Sequence, residues 1–200
     1  MKGMILAAGR GERMRPLTDH VPKPLLPVGG KPLIIRLIEA LVQAGVAELV
    51  INTSHLASQI ESTVGHGAAY GARIVYSHEE VALETAGGIA LALKHLGDAP
   101  FVVVNGDICT DFDFARLPTA LDAGHEVRAS AHLVLVDNPV HHPAGDFCLN
   151  EGMVTLDEGT RLTFSGIGVY RPRLFAHITP GTRYQLATVL RAAMARGEVT

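Results

Sequence analysis

Hydrophobic residues in the first half of the chain occur in short unbroken runs, each followed by a longer segment with helical spacing. The runs predict strands at residues 3–7, 47–53, 72–77 and 101–107. The segments between them predict helices at residues 32–45, 56–65 and 86–97. Apolar runs without polar alternation indicate strands buried on both faces. The alternating order therefore predicts an α/β fold with a Rossmann-like, doubly wound sheet.

The pattern changes after residue 125. Strand-like segments joined by short turns are predicted at residues 126–137, 146–150, 153–157 and 162–170, and a closing helix at residues 183–197. These strands suit an antiparallel addition, which would make the whole a mainly parallel mixed sheet flanked by helices. We expect one domain over residues 1–200, with halves at 1–125 and 126–200.

Composition is that of a soluble globular domain, with 48% hydrophobic and 18% charged residues in 200. Cys109 and Cys148 belong to no CxxC pair, so neither a disulfide framework nor a zinc site is indicated. The apolar run near Met1 is too short for a signal peptide or a membrane span. We therefore expect a cytoplasmic protein that does not bind membranes.

Charge is unevenly distributed along the chain. The formal net charge is −3, but residues 1–31 carry +4 and the remainder −7. A local positive field of this kind suits a small polyanion better than a nucleic-acid polymer, which requires a broader basic face.

Four of the six cations of residues 1–31 lie in residues 8–24, the basic loop, which follows the first predicted strand. The loop lacks the Gly-Lys-Ser/Thr of a Walker A motif and the third glycine of a dinucleotide fingerprint. Gly9 and Gly11 allow backbone amides to approach phosphate oxygens, and the cations that could bind them are Arg13, Arg15 and Lys23. The alternative is an ordinary solvated loop.

The stretch LAAGRGERMRPLTDHVPKP, from Leu6 to Pro24, resembles the signature of the sugar-1-phosphate nucleotidyltransferases, and the resemblance extends through NGD and FSGIGVY. It implies a nucleotidyltransferase fold similar to that of GT-A glycosyltransferases, with a nucleotide-binding first half and a sugar-binding second half. The reaction it implies joins a sugar-1-phosphate to a nucleoside triphosphate and releases pyrophosphate. By resemblance, Leu6, Ala8 and Gly9 line the nucleotide, Gly11 and Arg13 hold the departing phosphates, and Lys23 bridges the reacting groups.

Asp107 follows the fourth predicted strand, in the sequence NGD. A carboxylate there can hold Mg²⁺, and the resemblance assigns Asp107 this role. A simple Asn-Gly-Asp turn is the alternative. Asp111 and Asp113 form a DxD pair, which is used by some glycosyltransferases, but they are better explained by capping a helix that starts near Phe114.

The turn before the third helix contains Glu84, Thr85, Gly87 and Gly88. Thr85 could cap the helix, and the glycines permit either close packing or close approach to a flat base. In the family this turn contacts the nucleobase, so Glu84, Gly87 and Gly88 are predicted to bind the nucleotide.

Within the family, the segment LVDNPVHHPAGDFCLN is most similar to the N-acetylmuramate-1-phosphate uridylyltransferases of cell-wall recycling, which favours UTP as substrate. The resemblance places Asn138, Asp146, Ser165 and Gly166 beside the sugar. His141 and His142 are expected to be surface residues. DEGTRL stands where many relatives have Glu-Lys-Pro, so mannose-1-phosphate guanylyltransferase remains an alternative.

Many relatives also supply a second metal-binding aspartate from a C-terminal Asp-x-Gly-Thr element, whereas this sequence ends at GEVT. We expect the native polypeptide to be longer. The same difference keeps open a non-enzymatic alternative, a regulatory protein that binds nucleotide-sugars.

Overall fold

The computed structural model describes residues 1–121 and 129–200. Its strands are β1 Lys2–Leu6, β2 Pro27–Val28, β3 Lys31–Pro32, β4 Glu48–Thr53, β5 Arg73–His78, β6 Phe101–Asn105, β7 Ala131–Val136, β8 Phe147–Asn150, β9 Met153–Thr155 and β10 Thr160–Tyr170. Its α-helices are α1 Leu33–Gln43, α2 Ala57–Val64, α3 Glu84–Leu96 and α4 Leu186–Met194. Each element predicted in the first half is confirmed to within two residues at either end. The short β2–β3 hairpin was not predicted.

Four parallel strands form the first half of the main sheet, in the order β5-β4-β1-β6. The chain extends from β1 to β4 and β5 on one side, then returns through α3 to β6 on the other side. Leu6 is level with both Asn52 and Asn105, so β1, β4 and β6 end at the same edge. Ligands of open α/β sheets bind at such a point, where the strand order reverses beyond the carboxyl ends.

The sheet has a hydrophobic core on each face. Consecutive residues of β1 point to opposite sides, with Met4 in the core formed with α3 and α4, and Ile5 in the core formed with α1 and α2. Both side chains are fully buried. This arrangement explains why the central positions of β1, β4 and β6 are hydrophobic on both faces of the sheet, and it confirms the doubly wound α/β prediction.

The second half joins the same sheet through β10, which is antiparallel to β6, β7 and β8. β8 in turn pairs with β9. Val199 forms a parallel bridge with Ala131, the first residue of β7. The predicted antiparallel addition is confirmed. Residues 126–128 of the predicted strand, and the boundary between the halves, lie outside the described residues.

The closing helix is shorter than predicted, because α4 begins at Leu186. Residues 182–184, which we call the strap, are hydrogen-bonded instead to the start of α3. The Tyr184 N–H donates to the Leu83 carbonyl at 2.9 Å, and the Tyr184 carbonyl accepts from the N–H groups of Ala86 at 3.0 Å and Gly87 at 3.1 Å. Within the described residues, none of the helices has the length and hydrophobicity that a membrane span requires.

Candidate active site

A cleft of about 490 Å³ lies where the loops after β1, β4, β5 and β6 meet. Its walls combine the basic loop with polar residues from the other strand ends. The cleft is lined by Leu6, Ala7, Ala8, Gly9, Gly11, Glu12, Arg13, Met14, Lys23, Pro24, Asn52, Glu79, Ala82, Glu84, Thr85, Asn105 and Asp107.

The basic loop folds back on itself around Gly11. This residue has φ of 68°, and its carbonyl accepts a hydrogen bond of 2.9 Å from the buried Thr18 hydroxyl. A β-carbon on Gly11 would lie 3.0 Å from Thr18 Cγ2 and 3.3 Å from Lys23 Cβ. Glycine is therefore required both for the left-handed backbone and for the close approach of Lys23.

The two arginines of the loop have different surroundings. Arg15 donates to Asp19 at 2.7 Å in a largely exposed ion pair. Arg13 lines the cleft, and its guanidinium has no hydrogen-bond or ion-pair partner in the part of the chain that the structure describes. Of the two arginines, Arg13 is thus the one that presents a positive charge to the cleft.

Lys23 and Asp107, which are 84 positions apart, form an ion pair at the cleft wall. The turn after β6 makes this possible, since the Gly106 N–H donates to the Leu6 carbonyl at 2.9 Å. A β-carbon on Gly106 would be 2.6 Å from that same oxygen. Close approach at Gly106 thus holds Asp107 beside the basic loop, and both partners remain partly exposed.

The DxD pair has a structural explanation. Asp113 Oδ1 accepts from the Ala115 N–H at 3.0 Å and caps a short 3₁₀ turn, Phe114–Arg116. The capping prediction is therefore confirmed for Asp113 alone, although no longer helix follows. Among the described residues, no group of three or more His, Cys, Asp or Glu side chains could hold a metal ion by itself.

Two buried cleft residues, Asn52 and Glu79, were not predicted as site residues. Asn52 Oδ1 accepts from the Ala7 N–H at 2.8 Å, and Asn52 Nδ2 donates to Glu79 Oε1 at 2.7 Å. Glu79 Oε2 accepts from the Leu83 N–H at 3.0 Å. The sequence offered only a weak signal for them, namely polar residues that follow buried strands.

Glu84 begins α3 with φ of 62°, lines the cleft and accepts from Arg183 of the strap at 3.2 Å. Thr85 also lines the cleft, but it does not cap the helix, because the N-cap is Leu83 and no side chain serves there. That prediction was wrong.

Gly87 and Gly88 are buried and do not line the cleft. A β-carbon on Gly87 would collide with the Thr182 carbonyl, and one on Gly88 would lie 2.5 Å from Glu79 Oε1. Of the two alternatives for these glycines, close packing is the one observed.

The predicted sugar-binding residues lie outside the cleft lining, and their polar side chains are bonded within the protein. Asn138 Nδ2 donates to the Arg161 carbonyl at 3.0 Å, and Asp146 Oδ2 accepts from the Phe164 N–H at 2.9 Å. Ser165 Oγ donates to the Val134 carbonyl at 2.7 Å.

Gly166 connects this region to the cleft. It lies in an irregularity of the β7–β10 pairing, between Phe164 and Gly168. A β-carbon on Gly166 would be 2.5 Å from Nδ2 of Asn105, which lines the cleft. Of the two histidines, His141 is exposed, whereas His142 is half-buried and contacts Asp146 at 3.2 Å.

Comparisons with known proteins agree with this geometry. Residues 2–161 match the nucleotidyl transferase family. The chain is 54% identical over 205 residues to an N-acetylmuramate alpha-1-phosphate uridylyltransferase of Neisseria meningitidis, covering all of this chain and 88% of that protein. It is 34% identical to a UTP–glucose-1-phosphate uridylyltransferase of Synechocystis, covering 93% of this chain and 53% of that protein.

A crystal structure from Bacillus anthracis, of a protein assigned as a glucose-1-phosphate thymidylyltransferase, has the same fold. Its TM-score is 0.83 at 24% identity, and the match covers all of this chain and 85% of that one. The chain belongs to the nucleotidyl transferase family and, within it, to the sugar-1-phosphate nucleotidyltransferases.

Proposed function

We propose that this protein transfers UMP from UTP to N-acetylmuramate 1-phosphate, giving UDP-N-acetylmuramate and pyrophosphate. The observation that carries the substrate assignment is the 54% identity, spanning the whole chain, to an enzyme of that specificity. The basic loop at the end of β1, which brings Arg13 and Lys23 to the cleft, supports the same class of reaction. We infer from this product a role in cell-wall recycling, in the cytoplasm.

The chemistry needs little from the protein beyond positioning and charge. The attacking sugar phosphate is already an anion, so no general base is required. The main obstacle is repulsion between two phosphorylated substrates. Arg13 and Lys23 line the cleft and supply positive charge for the triphosphate and the reacting phosphoryl groups. A β-carbon on Gly9 would have no atom of the described residues within 4 Å, apart from those of Gly9 and its two chain neighbours. Gly9 therefore leaves space for a phosphate to approach the backbone.

Asp107 suits a magnesium ion, because its carboxylate is partly exposed at the cleft wall. Mg²⁺ is commonly held by one or two carboxylates, with substrate phosphates and water completing its shell, so a single aspartate is sufficient to anchor it. When bound, the ion would neutralise charge on the triphosphate. Asp107 would hold the ion, and the ammonium group of Lys23 would supply positive charge to the phosphates.

The nucleoside would lie along Leu6, Ala8 and Gly9, with Glu84 across the cleft. The sugar would enter on the side of Asn105, where Gly166 adjoins the cleft. Asn138 and Asp146 would shape this end by fixing the loop between β7 and β8 against β10. Ser165 would contribute by joining β10 to Val134 of β7.

Pyrophosphate release tests the proposal directly. The protein is incubated with Mg²⁺, each of the four ribonucleoside triphosphates and a panel of sugar 1-phosphates. We expect the highest kcat/KM with UTP and N-acetylmuramate 1-phosphate. Turnover with a different pair would reassign the substrates, and tight nucleotide binding without any turnover would favour the regulatory alternative.

Mannose-1-phosphate guanylyltransferase is the second candidate. It is favoured by 43% identity to such an enzyme from Debaryomyces hansenii, over 58% of this chain and 33% of that protein. A preference for GTP with mannose 1-phosphate in the same panel would support it.

A further inference from the structure

A buried hydrogen-bond network links the two walls of the cleft. It runs from the Ala7 N–H to Asn52, from Asn52 to Glu79, and from Glu79 to the Leu83 N–H, with donor–acceptor distances of 2.8, 2.7 and 3.0 Å. Ala7 precedes the Ala8–Gly9 backbone on one wall, and Leu83 precedes Glu84 on the other. This hydrogen-bond network therefore sets the distance between the segments that would hold the nucleoside.

The two side chains are tightly enclosed. Asn52 is 4% exposed and Glu79 is 5% exposed, although both line the cleft. Gly88 packs against them, since a β-carbon there would lie 2.5 Å from Glu79 Oε1 and 3.0 Å from Asn52 Nδ2. With so little space, neither side chain can take another rotamer to compensate for a lost partner.

We propose that Asn52 and Glu79 are positioning residues for nucleotide binding, acting through the backbone at Ala7 and Leu83. The inference rests on the proposed function, because it assumes that the nucleotide lies between these two walls. Neither Asn52 nor Glu79 is required by this proposal to touch the substrate.

The order of donors and acceptors makes a strict test possible. The network begins and ends at a backbone N–H donor, on Ala7 and on Leu83, so the side-chain atoms that contact these groups must both be acceptors. The contact between the two side chains must then pair one donor with one acceptor. Asn52 with Glu79 meets this requirement. The single variant Glu79→Gln brings two donors together, and Asn52→Asp brings two carboxylate oxygens together. The double variant N52D/E79Q restores the pattern with its direction reversed, because the glutamine amide can donate to the aspartate.

Affinity for UTP with Mg²⁺, measured by calorimetry, is the primary readout, and KM for both substrates is the second. We expect each single variant to weaken UTP binding by about 10- to 100-fold, as for the loss of a buried hydrogen bond. KM for the sugar phosphate should change by less than about threefold, and the double variant should return to within about threefold of the wild type.

The same set of variants separates an effect of charge on UTP binding from an effect of positioning. Asn52→Asp adds a negative charge and Glu79→Gln removes one, so a purely electrostatic influence on UTP would have opposite signs in the two variants. Positioning requires both to weaken binding. Asn150→Asp, at an exposed residue of β8, is the matched control for adding a carboxylate and should leave UTP affinity unchanged.

The outcomes are distinct. Single variants with lower melting temperatures but unchanged UTP affinity would overturn the inference, as would a double variant that stays as weak as the singles. Wild-type protein that binds none of the four triphosphates would overturn the proposed function, and the inference with it.

Discussion

Arg13 and Arg15 lie two positions apart in the basic loop, yet the structure gives them different environments. Arg13 faces the cleft without an acidic partner in the described chain, whereas Arg15 is paired with Asp19 on the surface. We predict that Arg13→Ala lowers kcat/KM by about 100-fold, because a charge-assisted contact to phosphate is lost. Pyrophosphate release under subsaturating UTP measures this.

Arg15→Ala is the matched control, since it removes the same side chain from the same loop. Its exposed ion pair with Asp19 contributes little to stability, so kcat/KM should remain within about threefold of the wild type. Equal losses in both variants would mean that the general charge of the loop matters, rather than the placement of Arg13.

Lys23 and Asp107 neutralise each other in the absence of ligand. A divalent cation must therefore compete with the lysine for the carboxylate. We predict that Lys23→Met tightens Mn²⁺ binding to the nucleotide-free protein by about 3- to 10-fold, although it abolishes turnover. Electron paramagnetic resonance of free Mn²⁺ measures the affinity. Asp107→Asn should eliminate the site in either background, and unchanged affinity in Lys23→Met would argue against this competition.

Tyr170 carries a hydroxyl group that has no hydrogen-bond partner among the described residues, although the side chain is only 1% exposed. Burial raises the pKa of this hydroxyl above its usual range. Tyr170→Phe keeps the ring contacts with Phe101 and Phe175 and removes the unpaired group. We predict that it increases the free energy of unfolding by about 1 kcal/mol, measured by urea denaturation. A clear loss of stability would show that the hydroxyl has a partner.

At the scale of elements, the turns after β1 and β6 contain glycines with opposite constraints. Gly9 has open space where a side chain would be, whereas a β-carbon on Gly106 would lie 2.6 Å from the Leu6 carbonyl. Gly9→Ala should therefore leave the melting temperature within about 1 °C and raise KM for UTP, because it narrows the phosphate path. Gly106→Ala should lower the melting temperature by several degrees, or about 1–3 kcal/mol. Differential scanning calorimetry and kinetics together check the pair, and the reverse pattern would contradict it.

The strands of the first half could be predicted from the sequence, because an unbroken apolar run such as the one that opens residues 101–107 has few alternatives to a buried strand. The position of the cleft could also be predicted, since the basic loop follows the first strand. The closing helix was predicted to start too early because Arg183 and Tyr184 carry no sequence signal for the hydrogen bonds they make to the start of α3. Those bonds depend on tertiary contact with a segment about 100 positions earlier.

The same limit applies to individual site residues. Arg13, Lys23 and Asp107 could be selected by charge and motif, but charge alone does not distinguish Arg13 from Arg15. Asn52 and Glu79 were not predicted as site residues, because their importance lies in the hydrogen bond between them. That bond joins residues 27 positions apart, and periodicity cannot reveal it. The predicted roles of the nucleotide- and sugar-binding residues remain to be tested by ligand-bound structures.

For the whole molecule, the two halves of the sequence share one sheet and the hydrophobic cores on its two faces. β10 is hydrogen-bonded to β6, and the core over α3 and α4 contains Met4 and Phe101 together with Tyr170 and Leu190. We predict a single unfolding transition in urea, with coincident midpoints by far-ultraviolet circular dichroism and tyrosine fluorescence. Two separated midpoints would show that the halves are independent.

The strap has a consequence for how the enzyme responds to salt. The Tyr184 carbonyl already binds two N–H groups at the start of α3, which are the groups that often attract phosphate at a helix terminus. The triphosphate must then be attracted by flexible cationic side chains that remain in contact with water. Mobile ions screen such charges over about 8 Å at physiological ionic strength. Substrate capture should accordingly weaken as the salt concentration rises, which makes ionic strength a determinant of how well the enzyme competes for its triphosphate.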